Sequence, residues 1–158
     1  LADLGVDNFK IAGSLLGSVA QRLLRCVCSG CKRSVPANMN LLEALDPEET
    51  VPRDAKFFRG EGCKKCLGTG VSGRLPLFEI MPITPALNLA IDPGVPHSKL
   101  RQRAMQAGMV ERSAAGLEQA LAGSTSLEEV YFKTSGDRRR GESTPVVGGR
   151  RAADSIAR

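Results

Sequence analysis

The chain has 158 residues, 42% of them hydrophobic but only 4% aromatic and none Trp, so it is long enough for one core or two small ones yet poor in large apolar anchors. Its formal charge of +5 is concentrated at the end: from Lys133 onward seven basic residues face three acidic ones, which leaves the preceding residues at +1 and excludes a chain-wide electrostatic footprint for nucleic acid. No uncharged apolar run reaches the roughly 18 residues of a membrane span, no basic stretch leads into an apolar one as in a signal peptide, and the first residue is Leu rather than Met, which reads as a fragment.

In chain order, residues 11–25 have a helical period. Leu15, Leu16, Val19, Leu23 and Leu24 share a broad face, and Arg22 and Arg25 suit the negative end of the helix dipole. Ile11 to Gln21 and Ile80 to Ile91 are the longest apolar stretches and read as buried or amphipathic helices. The first cysteine pair, Cys28-Ser29-Gly30-Cys31, follows at once. Pro36 to Arg59 reads as a connector with a short amphipathic piece, Met39 to Leu45, interrupted by Asp46, Pro47 and Pro52. Gly60-Glu61-Gly62 precedes the second pair, Cys63-Lys64-Lys65-Cys66, and Gly68-Thr69-Gly70 follows it. Glycines there allow positive φ and let backbone amides turn toward thiolates. Arg74 to Ile80 reads as a short strand with Leu75, Leu77 and Phe78 as its apolar members, and Pro76 argues for an edge position.

The remainder to Phe132 is helical in character. Thr84-Pro85 supplies an N-cap and a first helical residue. Ser98 opens another helix that Gly108 ends, and Ser113 to Leu121 forms a third closed by Gly123. Thr125-Ser126-Leu127-Glu128 reads as a capping box for a last helix to Phe132. Beyond Lys133 the Gly, Arg, Ser and Pro content predicts disorder.

Two Cys-x-x-Cys pairs each present two thiolates from a tight turn, and together they make a four-sulfur tetrahedral site of the structural zinc type. Cys28, Cys31, Cys63 and Cys66 are the candidate ligands. Four sulfurs leave no open position for water, so the expected role is to hold the fold, and no residue stands out as catalytic. Five cysteines is an odd number for a disulfide framework, which makes disulfides the lesser reading. A redox role would need a thioredoxin-like context that neither pair has. The second pair also fits the Cys-x-x-Cys-x-Gly-x-Gly repeat of the cysteine-rich domain of J-domain chaperones, but that domain needs four copies and this chain has one. Cys26 reads as a residue beside the site, and His97, the only histidine, as a surface residue in a Pro-rich turn. Arg22, Arg25 and Arg74 could reach a neighbouring subunit or a nucleotide, and the plainer reading of each is a solvated charge. The arginine-rich tail could bind anionic lipid or nucleic acid, and its plainer reading is a solubilising extension.

Three ordered blocks resemble the ATPases of type II secretion (general secretory pathway protein E) and type IV pilus assembly. The first is Leu4-Gly5-Val6-Asp7 through Ala12-Gly13-Ser14-Leu15-Leu16-Gly17 and Ala20-Gln21-Arg22-Leu23-Leu24-Arg25 to Cys28-x-x-Cys31. The second runs from Phe58-Arg59-Gly60-x-Gly62-Cys63-x-x-Cys66-x-Gly68-Thr69-Gly70-x-x-Gly73-Arg74 to Phe78-Glu79. The third holds Gly108-Met109, Gly116-Leu117, Ala122-Gly123 and Thr125-Ser126-Leu127-Glu128-Glu129-Val130. The chain departs from the family pattern at Gly73-Arg74-Leu75-Pro76, where Gly-Arg-x-Gly is usual, and at Val110-Glu111-Arg112.

The resemblance implies an α-rich, α+β fold in four parts: the end of a RecA-like ATPase core helix over 1–25, a tetracysteine zinc-binding subdomain over 26–80 with a few short strands, a C-terminal helical subdomain over 81–132, and a disordered basic tail over 133–158. It implies zinc on the four cysteines, with ATP and Mg²⁺ only in the intact motor. It implies a hexamer of sister subunits at an inner-membrane platform, in the cytoplasm and peripheral to the membrane, with no nucleic acid. The chain has no Gly-x-x-x-x-Gly-Lys-[Ser/Thr] loop to cradle phosphates and no Asp-Glu pair to hold magnesium, so it is expected not to hydrolyse ATP alone. A stand-alone zinc-stabilised interaction module is the alternative function, and a zinc-ribbon nucleic-acid binder a third that the near-neutral body argues against.

Overall fold

A computed structural model describes residues 4–89 and 94–138. Helix α1 (Asn8–Ser14) starts at Asp7, whose side chain accepts from the Phe9 N–H at 2.9 Å. The chain then enters an eleven-residue strand, β1 (Gly17–Val27). This corrects the expected helix over 11–25, of which only residues 11–14 are helical, in α1. Its proposed buried face does not exist: Leu16 is 90% and Val19 63% exposed, whereas Leu24 is fully buried. The reason is non-local. Strand β4 (Val71–Pro82) lies antiparallel along almost the whole of β1, with Val19 opposite Ile80 and Leu24 opposite Leu75, and this ladder overrides the local period. The expected strand from Arg74 to Ile80 is therefore real but longer at both ends. The expected helix from Ile80 to Ile91 is replaced by the end of β4 and a short helix α3 (Pro85–Asn88), and residues 90–93 lie outside the described residues.

Between the long strands, β2 (Lys32–Pro36) pairs antiparallel with β3 (Lys56–Gly60), so part of the expected connector is a second two-stranded sheet. Helix α2 (Met39–Leu45) forms where expected, capped by Asn38, and buries Leu42 and Leu45. Just past it the buried Asp46 closes the turn, accepting from the Thr50 hydroxyl at 2.8 Å and the Val51 N–H at 2.7 Å. Burial acts to raise the Asp46 pKa, but these hydrogen bonds outweigh it and hold the group below the usual carboxylate value.

Thr84 caps α3 by accepting from the Leu87 N–H at 3.2 Å, with Pro85 first in the helix, as the sequence predicts. Helix α4 (His97–Gln106) starts after Pro96, so Ser98 lies inside it rather than at its cap. Helix α5 (Arg112–Leu121) follows Glu111, and α6 (Leu127–Arg138) follows Ser126. The cap of α6 is Ser126, which accepts from the Glu129 N–H at 3.2 Å. Thr125, the expected cap, instead donates its hydroxyl to the Arg25 carbonyl at 2.8 Å. The helix also continues through Arg138, six residues past the expected end, so residues 133–138 are helical where disorder was expected. The expected disorder of 139–158 falls outside the described residues.

The main core gathers Leu24, Phe57, Leu77, Leu117, Leu127 and Val130 from five different elements, with Leu42 and Leu45 of α2. Gly116 is needed there because a Cβ would sit 2.7 Å from the Val130 side chain; its absence lets α5 and α6 close on each other. A smaller cluster, Leu87, Ala104 and Met109, joins α3 and α4 to the end of β4. No described helix is long and apolar enough to cross a membrane.

Candidate metal centre

The two cysteine turns are delivered by the two sheets. Strand β1 breaks register between Arg25 and Val27, a bulge at Cys26. The backbone groups freed there are taken up by the α5–α6 corner: Glu129 accepts from the Arg25 N–H at 3.1 Å, Thr125 bonds the Arg25 carbonyl, and the Val27 N–H donates to Ser124 at 3.0 Å. Beyond the bulge the Cys28 N–H donates to the Gly70 carbonyl at 2.9 Å, fastening the first turn to the second. Strand β3 carries the second turn, and the Glu61 N–H donates to the Cys31 carbonyl at 3.2 Å.

The second turn is a single 3-10 turn, Lys64–Cys66, followed by Leu67 in the left-handed region at φ 52, ψ 40. Gly60 and Gly70 meet backbone to backbone, so that a Cβ on either would overlap the other, and Gly70 also has φ 74. This contact lets the turn fold back over β3 and aim both of its sulfurs inward.

The result brings together all four predicted ligands. The Sγ atoms of Cys28, Cys31, Cys63 and Cys66 lie within 4.8 Å of one another, and they are the one such metal-ligand cluster among the described residues. Cys28 to Cys63 is 3.9 Å, Cys31 to Cys66 is 3.8 Å and Cys63 to Cys66 is 3.7 Å. A regular tetrahedron of sulfurs about 2.3 Å from a central zinc has edges of about 3.8 Å. The donor set, its spacing and its burial therefore fit zinc. Cys28, Cys31 and Cys66 are buried and Cys63 is half-buried.

Three backbone amides point at the sulfurs. Gly62 donates to Cys31 at 3.3 Å, and Cys63 and Gly70 each donate to Cys66 at 3.2 Å. Burial works to raise the Cys66 pKa, but the two N–H donors and the neighbouring thiols outweigh it and lower it, which favours the thiolate a metal needs. Burial instead prevails at Cys31 and raises its pKa despite the Gly62 N–H.

Cys26 sits half-buried at the bulge and is no member of the cluster. His97 is exposed at the start of α4, as expected. Arg25 is more than a solvated charge: its guanidinium grips the buried Glu129 carboxylate. Sequence reasoning missed Glu129, Ser124 and Thr125 as the brace behind the centre. Their only signal was the run Ser124-Thr125-Ser126 ahead of Glu129, which reads equally as a helix cap. Glu79 was quoted only as a motif member; its carboxylate accepts from the Arg112 N–H at 3.3 Å and so anchors the start of α5.

The family described as Type II/IV secretion system protein matches residues 1–132. The chain belongs to that family. It is 35% identical over 134 residues to the type IV pilus assembly ATPase PilB of Thermus thermophilus, covering 85% of this chain and 15% of that protein. It is 33% identical over 142 residues to the protein of the same name in Myxococcus xanthus, covering 87% of this chain and 25% of that protein. It is 34% identical over 138 residues to the type II secretion system ATPase E of Vibrio cholerae, covering 85% of this chain and 26% of that protein. The chain thus spans about a quarter or less of the length of these relatives.

Proposed function

We propose that Cys28, Cys31, Cys63 and Cys66 hold a structural zinc ion, and that the chain acts as the zinc-containing C-terminal region of a hexameric ATPase for protein secretion or pilus extension. The observation that carries the metal reading is that three of the sulfur–sulfur distances are 3.7 to 3.9 Å, the edge length of a zinc tetrathiolate, with all four sulfurs within 4.8 Å of one another. Zinc bound there would supply a crosslink between the two turns and, with its shell closed by sulfur, no activated water. The chain's own contribution is orientation: Gly62, Cys63 and Gly70 direct N–H groups at the sulfurs and offset thiolate charge in a buried setting.

The motor reading rests on family membership. In it, residues 1–25 close the ATPase core of RecA-like type, 26–80 form the zinc subdomain, and 81–132 form a helical subdomain. Sister subunits of a homo-hexamer and an inner-membrane platform are its partners, on the cytoplasmic side. ATP and Mg²⁺ belong to the intact motor, because this chain carries no phosphate loop to bind them. In this reading the two cysteine turns form a zinc knuckle that Glu129 on α6 braces through Arg25.

The test is metal content and its consequence. The purified chain is expected to carry one zinc per molecule, and a strong chelator to unfold the segment between Cys28 and Arg74 while removing it. A chain free of zinc and copper, iron or nickel after growth in metal-replete medium, with an unchanged fold, would sink the proposal.

A further inference from the structure

Gly30 stands in the first cysteine turn although its backbone does not call for glycine: its φ lies outside the left-handed region. It is exposed, and a Cβ there would lie 3.3 Å from the Cys63 sulfur and 3.7 Å from the Cys28 sulfur. The missing side chain leaves an opening over two sulfurs of different turns, themselves 3.9 Å apart. Cys63 is also the half-buried member of the four, whereas the other three are buried. A small reactant therefore meets Cys63 first, with Cys28 directly behind it.

The sulfurs fall into two pairs across the turns. Cys28 lies 3.9 Å from Cys63 and Cys31 lies 3.8 Å from Cys66, which uses each sulfur once. The third short contact, Cys63 to Cys66 at 3.7 Å, lies within one turn. Two features favour the cross-turn pairing. The Cys63 and Gly70 N–H groups occupy lone pairs of the Cys66 sulfur, whereas no N–H donates to the Cys28 sulfur among the described residues, which leaves Cys28 the freer nucleophile. The turns are also fastened without their sulfurs. Cys28 N–H donates to the Gly70 carbonyl at 2.9 Å, Glu61 N–H donates to the Cys31 carbonyl at 3.2 Å, and Lys32 pairs with Gly60 at the base. These bonds keep the cross-turn partners face to face independently of a metal.

We infer that Cys63 is an oxidation site for hydrogen peroxide, and that the knuckle has a second, metal-free closed state held by the disulfides Cys28–Cys63 and Cys31–Cys66. The inference rests on the zinc reading above. The Cys63 thiolate attacks one peroxide oxygen; the O–O bond breaks, hydroxide leaves and the sulfur becomes a sulfenic acid. The Cys28 thiolate then attacks that sulfur; the S–S bond forms, the S–O bond breaks and a second hydroxide leaves. Two electrons have passed from the pair of sulfurs to the peroxide. Loss of two donors opens the shell around the ion, and a second peroxide oxidises Cys31 and Cys66 in the same way. No thiolate then remains to hold zinc. Each disulfide joins residues 35 positions apart, so the oxidised chain keeps a crosslink between the two turns.

The full chain with Cys26→Ser, which removes the fifth thiol, is loaded with zinc and its metal content is measured. It is treated with hydrogen peroxide beside a chromogenic chelator, blocked with iodoacetamide and digested with trypsin. Cleavage at Lys and Arg puts Cys28 and Cys31 on peptide 26–32, Cys63 on 60–64 and Cys66 on 66–74, so the pairing can be read. The expected result is zinc release and one species joining all three peptides, whose fragmentation links Cys28 to Cys63 and Cys31 to Cys66. The oxidised chain is expected to melt above the reduced, chelated one, and dithiothreitol with zinc to restore the starting state. Peptides 60–64 and 66–74 joined only to each other would overturn the inference. So would sulfinic acid at Cys63, or four intact thiols with zinc retained. Gly30→Ala is expected to bind zinc and release it about threefold more slowly under peroxide; an unchanged rate would refute the opening as the route to Cys63. A starting sample without zinc would refute the metal reading alone, because the peptide map still decides the pairing.

Discussion

The Glu129 carboxylate accepts three hydrogen bonds from one residue, Arg25: from the backbone N–H at 3.1 Å, and from the guanidinium Nε and a terminal nitrogen at 2.8 and 2.5 Å. One buried acid on α6 thereby satisfies the backbone at the bulge of β1 and holds the side chain beside it. The strand end that carries Cys28 is positioned by a residue 101 places further along the chain.

This relationship predicts a pH dependence. Burial alone would raise the Glu129 pKa, but the hydrogen bonds and charge of Arg25, with Lys133 behind them, outweigh it and hold it below the usual glutamate value. The unfolded chain therefore binds the proton more readily, and the stabilisation is fully present above the unfolded value of about 4.3 and disappears as pH falls through the lower folded value. Glu129→Gln should flatten that acid limb in thermal melts. Glu129→Ala should cost about 2 kcal/mol at pH 7, a figure held down because the Arg25 side chain is 61% exposed and retains water as an alternative partner.

The metal centre predicts a contrast between neighbouring cysteines. Cobalt substituted into the parent chain should show the intense thiolate charge-transfer and tetrahedral d–d absorption of a four-sulfur site. Cys26→Ser should leave that spectrum unchanged, since Cys26 lies outside the cluster. Cys63→Ser should shift it and weaken metal binding by at least tenfold. Equal spectra from the two variants would refute the ligand assignment.

Gly60 has an ordinary φ, so its replacement tests close approach alone. A methyl group there overlaps the Gly70 backbone, and neither segment can retreat without opening the turn. Gly60→Ala is expected to lower Tm by the equivalent of about 3 kcal/mol and to release zinc at lower chelator concentration. A thermal melt reads the first and titration with a chromogenic chelator the second.

Gly116→Ala places a methyl against Val130 Cγ1, at the contact of α5 with α6. The expected loss is about 1–3 kcal/mol by urea denaturation. Val130→Ala removes the obstructing methyl groups, so the double variant should be more stable than the sum of the two single losses predicts. Strict additivity would show that the helices do not meet there as described.

Local chemistry was legible in the sequence. Thr84-Pro85 and the glycines after α4 and α5 placed helix ends near where they occur, because a cap is satisfied within three or four residues of itself. The donor set was legible for the same reason: each Cys-x-x-Cys turn needs only its own few residues to aim two sulfurs one way. Residues 11–25 show the limit. Their apolar positions fit a helical face as well as a strand, and local period cannot choose between them when the deciding partner is β4, some fifty residues away.

By itself, then, the sequence determined which four sulfurs are available and which short turns present them, since turn geometry is a matter of neighbouring φ and ψ. Only the tertiary structure decided that β1 is a strand, that Gly60 and Gly70 touch, and that Glu129 braces Arg25. Those outcomes depend on contacts between distant segments. Their hydrogen bonds and excluded volume have no energy until the chain has closed the loops between them.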